Sequence, residues 1–182
     1  MDALSEVLGP LRKSQRTAIG LVVEAMSARG EASSITIAAG LAQRTGAGVP
    51  SALVRFYRLL HNRRVEDLVL SRQMIRTLAR RSQTFLISID WTEWHPPLRM
   101  LLASAVTGTR AVPVYAATFI KTAIQRSQNC WENTFLKMVV MLLEEARVTA
   151  CFLADRGFRR ASFIKLLLEL TGHTFLVRLA DK

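Results

Sequence analysis

The sequence has 182 residues, half of them hydrophobic. That is room for one ordinary domain, or one preceded by a small appended one, with enough apolar side chain to bury a core and exclude intrinsic disorder. Its 25 Lys and Arg against 14 Asp and Glu leave +11, which points to a polyanionic partner, nucleic acid before an anionic membrane surface.

Only Cys130 and Cys151 are present, too few for a disulfide framework or a metal knuckle, so a reducing compartment is expected and both cysteines read as small buried apolar residues. Asp2 and Glu6 stand where a secretory leader would be positive, and no run of about eighteen apolar residues occurs, so neither a secreted chain nor a membrane partner is expected.

Composition changes near Arg81. Residues 1–83 carry 13 basic and 6 acidic residues, residues 84–182 carry 12 and 8, so the surplus is concentrated in the first part. The spacing of Ile19, Val22, Val23 and Met26 predicts a helix over 12–29. Ser33 or Ser34 is placed to cap a second helix that begins at Ile35, buries Ile37, Ala38 and Leu41, and dissolves at Gly46-Ala-Gly48. Pro50-Ser51 opens a third, with Leu53, Phe56, Tyr57 and Leu60 as its apolar face. A fourth runs roughly over 65–80 with Leu68, Ile75 and Leu78 buried.

From Thr84 the pattern becomes β-type. Strands are predicted over 84–90, 98–106 and 111–120, the last two joined by the turn signal Thr107-Gly-Thr-Arg110. A helix over 129–147, a strand over 148–154, a helix over 159–170 and a strand over 174–179 follow. The expected fold is therefore α+β or α/β in two parts. A helical, helix-turn-helix-like segment (1–83) precedes an incomplete ribonuclease-H-like mixed sheet (84–182) in the order β-β-β-α-β-α-β, without its closing helix.

In that order the strands ending at Asp90 and Asp155 are central, parallel neighbours. Their carboxylates are expected to meet in one crevice and, as hard oxygen ligands, to suit Mg²⁺ or Mn²⁺ for phosphodiester cleavage. The plainer alternative makes Asp155 a cap of the following helix and Asp90 a partner of backbone groups in the Trp91-Thr92 turn.

Ile87-Ser-Ile-Asp90-Trp-Thr-Glu93, the hairpin segment Gly108-Thr-Arg-Ala-Val-Pro-Val114 and Phe152-Leu-Ala-Asp155-Arg-Gly-Phe158 resemble consecutive landmarks of DDE transposases of the insertion sequence 4 group. Arg55-Phe-Tyr-Arg-Leu-Leu-His-Asn-Arg63 is similar to the end of that group's helical segment. The resemblance implies DNA transposition by an insertion sequence, with Asp90 and Asp155 as catalytic, metal-binding residues. It also implies double-stranded element ends as partner, a homodimer or full-length transposase as a further one, and a bacterial-type cytoplasm in association with the nucleoid. The family's third ligand is a Glu in a Tyr-Arg-x-x-x-x-x-x-Glu string that this sequence lacks, and neither Glu93 nor Glu169 substitutes for it. A truncated copy, poor in catalysis, is therefore expected, the alternative being a non-catalytic DNA-binding derivative that competes for element ends. A basic RNA-associated protein with coincidental aspartates is a third reading.

Residues 35–62 have a helix-turn-helix outline, and eight arginines (Arg55, Arg58, Arg63, Arg64, Arg72, Arg76, Arg80 and Arg81) stand against Glu66 and Asp67 over 55–81. The guanidinium fork pairs two phosphate oxygens at once, so these arginines are candidate DNA contacts, the bland reading being a solvated helix face. Arg156, Arg159 and Arg160, following Asp155, are further candidates for phosphate, or else solvated residues of a first helical turn. Trp91 and Trp94 read as core aromatics and His95 as a surface-loop residue.

Overall fold

A computed structural model describes residues 3–30, 33–93, 97–124, 128–170 and 172–178. The chain forms two compact units, residues 1–73 and 74–182. Among the described residues no helix is long and apolar enough to cross a membrane.

The first unit is helical: α1 (Ala3–Val7), α2 (Lys13–Arg29), α3 (Ser34–Thr45), α4 (Val49–Leu60) and the start of α5 (Asp67–Ala79). Local chemistry sets the ends. The Gln15 side chain accepts from the Arg12 backbone N–H at 3.0 Å at the start of α2, and Ser33 Oγ accepts from Thr36 N at 3.2 Å at the start of α3. Gly30 (φ 66°) and Gly46 (φ 68°) end these helices in the left-handed conformation that residues with a Cβ avoid. Pro50, in the first turn of α4, gives up only an N–H that has no partner inside the helix.

Ala25, Ile37, Ala38, Leu41, Ala42, Ala52 and Phe56 form the core of α2, α3 and α4. Burial of each large member contributes about 1.5–3 kcal/mol. The face predicted for α4 needs correction: Phe56 is buried and Leu53 is half-buried, but Tyr57 is 44% and Leu60 62% exposed. Ala52 and Phe56, four residues apart, define the inward seam, and Tyr57 lies a further 100° around the helix. In α5, Ile75 is buried as expected, while Leu68 and Leu78 are only half-buried.

The second unit contains the end of α5 and a sheet of β1 (Thr84–Glu93), β2 (Leu98–Thr107), β3 (Arg110–Ile120), β4 (Thr149–Ala154) and β5 (Thr174–Val177). Strand order is β3-β2-β1-β4-β5, with β2 antiparallel to β1 and β3, and β4 parallel to β1 and β5. The chain is thus α+β, helices followed by a mixed sheet. A short α6 (Lys121–Ile124) and the long α7 (Gln128–Glu145) connect β3 to β4, and a one-turn 3-10 helix (Arg156–Phe158) and α8 (Ala161–Glu169) connect β4 to β5. Leu179, predicted to end the last strand, lies outside the described residues.

Pro113 lacks an N–H and sits on β3, the edge strand of this order, where a missing donor costs little. Beside it the register slips, so that Val114 bulges and is buried. On one sheet face Phe85, Ile87 and Ile89 alternate with exposed or half-buried neighbours, and Ile87 stands beside Phe152 of β4. On α7, Phe135 stacks on Tyr115 of β3 at 4.9 Å, and Leu136, Val139, Val140, Leu142 and Leu143 are buried. The cysteine expectation fails: Cys130 is exposed and Cys151 half-buried, because neither falls on an inward position of its element.

The imidazole of His173 takes the place of a strand carbonyl: Ala150 N–H donates to its Nδ1 at 3.1 Å, and the ring packs on Phe152 at 5.6 Å. Burial pushes its pKa below 6.5, with Glu144 opposing more weakly. A depressed folded pKa means that the unfolded chain binds the proton more readily, so the stabilisation present above about pH 6.5 is lost as pH falls through the folded value. Urea unfolding of the wild type should weaken over that window, and the pH-dependent component should shrink in His173→Phe. Equal pH profiles for the two proteins would overturn this role.

Candidate functional site

β1 and β4 run parallel, and their last paired rung is Ile89 with Ala154. Asp90 is the next residue on β1, and Asp155 follows the end of β4. On β1, alternation turns Asp90 to the face opposite the one that buries Ile89. Both are exposed. Asp90 does not close its strand: β1 continues to Glu93 because β2 pairs with it antiparallel, Asp90 standing opposite Leu102 and Glu93 opposite Arg99. Asp155 is the cap of the 3-10 turn, its Oδ1 accepting from Gly157 N at 2.8 Å. A Cβ at position 157 would lie 2.9 Å from that oxygen, so a larger residue there would push the Asp155 carboxylate aside.

The expectation of Mg²⁺ or Mn²⁺ at Asp90 and Asp155 is corrected by what surrounds them. Among the described residues no group of three or more His, Cys, Asp or Glu side chains is arranged to hold a metal ion. One oxygen of Asp155 is already engaged with Gly157. Glu93 pairs with Lys121 Nζ at 2.8 Å, which draws its pKa below the usual carboxylate range. Glu169 is an exposed residue at the end of α8. Two carboxylates leave most of an octahedral shell to water, so these residues do not fit a two-ion cleavage centre.

The buried charge of this unit lies elsewhere. Glu132, in the first part of α7, is 1% exposed. Its Oε1 accepts from Trp91 Nε1 of β1 and from Gln128 Nε2, both at 2.7 Å, and its carboxylate pairs with the Arg160 guanidinium. Trp91 also stacks on Phe119 at 5.6 Å, with the Arg99 guanidinium 5.0 Å from its ring centroid, so it packs as expected of a strand-end aromatic. Trp94 and His95 lie outside the described residues. Sequence reading passed over Glu132, although a carboxylate at position 132 shares a helical stripe with Phe135, Leu136 and Val139, and that position was the available signal.

The arginines separate by environment. Arg55 and Arg58 are exposed on α4, and Arg63 and Arg64 are exposed just beyond it, where Asn62 Oδ1 accepts from Arg64 N at 3.1 Å. Arg72 is half-buried and Arg76, Arg80 and Arg81 are exposed; Arg156 and Arg159 are exposed in the β4–α8 connection. Arg160 is a correction. Its guanidinium is held by Glu132 inside the second unit and is desolvated enough to lower its pKa, so it is a structural cation rather than a phosphate contact.

In the first unit a groove of about 970 Å³ is lined by Arg55, Arg58 and Asn62 from α4 and its end, and by Arg12 and Lys13 from the start of α2. Arg12 and Lys13 are exposed; in the sequence Arg12 marks only a helix start, and Lys13 carries no reading of its own. Compared with known protein families and with curated proteins, the sequence matches none.

Proposed function

We propose that this chain is a double-stranded-DNA-binding protein of the DDE transposase type, derived from an insertion sequence, that grips element ends without cleaving them. The observation that carries the proposal is the run of exposed guanidinium groups Arg55, Arg58, Arg63 and Arg64 along α4 and the turn after it, in a chain of net charge +11. Exposed arginines on a helix that follows a capped helix and a short turn form a surface suited to phosphate. The transposase kinship is supported by the sheet. Order β3-β2-β1-β4-β5, with β1 flanked by one antiparallel and one parallel strand, is compatible with a ribonuclease-H-like sheet, and Asp90 on β1 and Asp155 just after β4 both follow the last rung that pairs these two strands. The role is binding because the described residues bring no third ligand to those carboxylates. Bound at element ends in the nucleoid, such a chain competes with a full-length transposase or pairs with one.

Fluorescence anisotropy with a duplex carrying an insertion-sequence end tests this. Log affinity should fall linearly with log salt, with a slope of about −0.9 for each phosphate neutralised, hence roughly −3 to −4 for the four arginines. Arg55→Ala with Arg58→Ala should flatten that slope by about 2. Asp90→Ala and Asp155→Ala should leave binding unchanged or tighter, since each removes negative charge. Failure of the wild type to bind duplex DNA at low salt rejects the proposal.

A further inference from the structure

Resting on that DNA-binding reading, we infer that the groove between the first turn of α2 and α4 is where one strand's phosphodiester backbone lies, with Arg12 and Lys13 gripping it from the side opposite Arg55 and Arg58. All four cations are exposed and line the same 970 Å³ groove, and none of the described residues lining it is acidic. A groove with cations on both walls and no carboxylate between them concentrates positive potential where a chain of phosphates, each singly charged, has room to pass. Arg12 also borders a second hollow, lined by Arg63 and Arg64 together with Glu66, so the cationic band continues around the start of α2.

The wall is held in place from within. Gln15 is buried, its Oε1 accepting from Arg12 N at 3.0 Å and its Nε2 donating to the Arg64 carbonyl at 3.3 Å. That side chain ties the start of α2 to the segment after α4, so the two walls need no rearrangement to receive the ligand. Ala18, Leu21 and Leu59 add apolar contact beside the polar Ser14, Thr17 and Asn62. Contacts to phosphate fix the position of a duplex and carry no sequence information of their own.

The test is duplex binding by the full chain carrying Arg12→Ala and Lys13→Ala, beside a charge-matched control, Lys137→Ala with Lys165→Ala, on exposed positions of α7 and α8. The groove variant should bind a fluorescent DNA duplex roughly tenfold or more weakly, by the same factor for an insertion-sequence end and for a scrambled sequence. Its salt slope should flatten by about 2, while the control changes little. Far-UV circular dichroism confirms that the helices remain, and Arg12→Lys should restore most of the affinity. Unchanged affinity and slope in the groove variant, with a wild type that binds DNA, overturns the groove and leaves the DNA-binding reading standing. A loss confined to one sequence overturns it as a backbone site, tighter binding to an RNA duplex overturns DNA as its occupant, and a wild type that binds no duplex overturns both.

Discussion

Glu132→Ala is expected to destabilise the sheet unit by about 3–5 kcal/mol, nearer the lower figure because Arg160 keeps some contact with solvent. Truncation strands three donors at once: the Arg160 guanidinium, Trp91 Nε1 and Gln128 Nε2 all lose their acceptor. Each lies at least partly away from water, so the cost is desolvation without compensation rather than the loss of three ordinary hydrogen bonds. Glu132→Gln keeps the shape and one acceptor oxygen but leaves the guanidinium charge unbalanced, so it should lose much of the same stability. Replacing both charges by apolar residues of similar volume, Glu132→Leu with Arg160→Met, should cost less than Glu132→Ala because no unbalanced guanidinium is left, although Trp91 Nε1 and Gln128 Nε2 still lose their acceptor. Urea unfolding followed by near-ultraviolet circular dichroism of the tryptophans gives these values directly. A loss below about 1 kcal/mol for Glu132→Ala would mean that the network does not hold β1, α7 and α8 together.

Gly40→Val should be comparably damaging to the helical unit, by about 3 kcal/mol or more through overpacking of α2 against α3. A Cβ at position 40 would stand 2.9 Å from Ala25 Cβ and 3.3 Å from Ala25 Cα, and neither atom belongs to a side chain that can swing away. Ala25 is fully buried, so relief requires the two helices to separate and the Ile37, Leu41 and Phe56 core to loosen. Gly40→Ala should cost less, about 1–2 kcal/mol, since the clash is offset by alanine's better helix propensity. Gly20, inside α2, is the contrasting case: a Cβ added there would meet nothing within 4 Å. Gly20→Ala should stabilise by roughly 0.5–1 kcal/mol. Thermal unfolding of the three variants, read at 222 nm, checks the ranking; a Gly40→Ala protein as stable as Gly20→Ala would show that the close approach does not exist.

Much of this molecule is local, and what is local is legible in the chain. Ser33 before a helical stripe, Gly46 after it and Pro50 before the next one each mark a boundary, because capping and left-handed glycine involve residues within one turn of each other. Thr107-Gly108-Thr109-Arg110 marks the β2–β3 connection for the same reason, Gly108 taking a positive φ of 59°. The alternation of Phe85, Ile87 and Ile89 identifies a strand half buried on one face. Capping of the 3-10 turn by Asp155, one of two readings of that residue, is local too and is the one the hydrogen bond to Gly157 bears out.

By itself the amino-acid order determined the sign of the charge, the order of the longer helices and of the strands and the residues that punctuate them, but not the short helices Ala3–Val7 and Lys121–Ile124 or the turn Arg156–Phe158. Only the tertiary structure decided the rest. It rotated α4 so that Phe56, not Tyr57 or Leu60, faces the core, and it carried β1 past Asp90 to pair with β2. It also brought Trp91 to Glu132 across 41 residues of chain, removing Arg160 from the candidate DNA contacts, and left Asp90 and Asp155 without a third ligand among the described residues. These outcomes depend on which groups converge from distant parts of the chain. Convergence is set by packing and strand pairing across the whole unit, and no short-range pattern in the sequence records it.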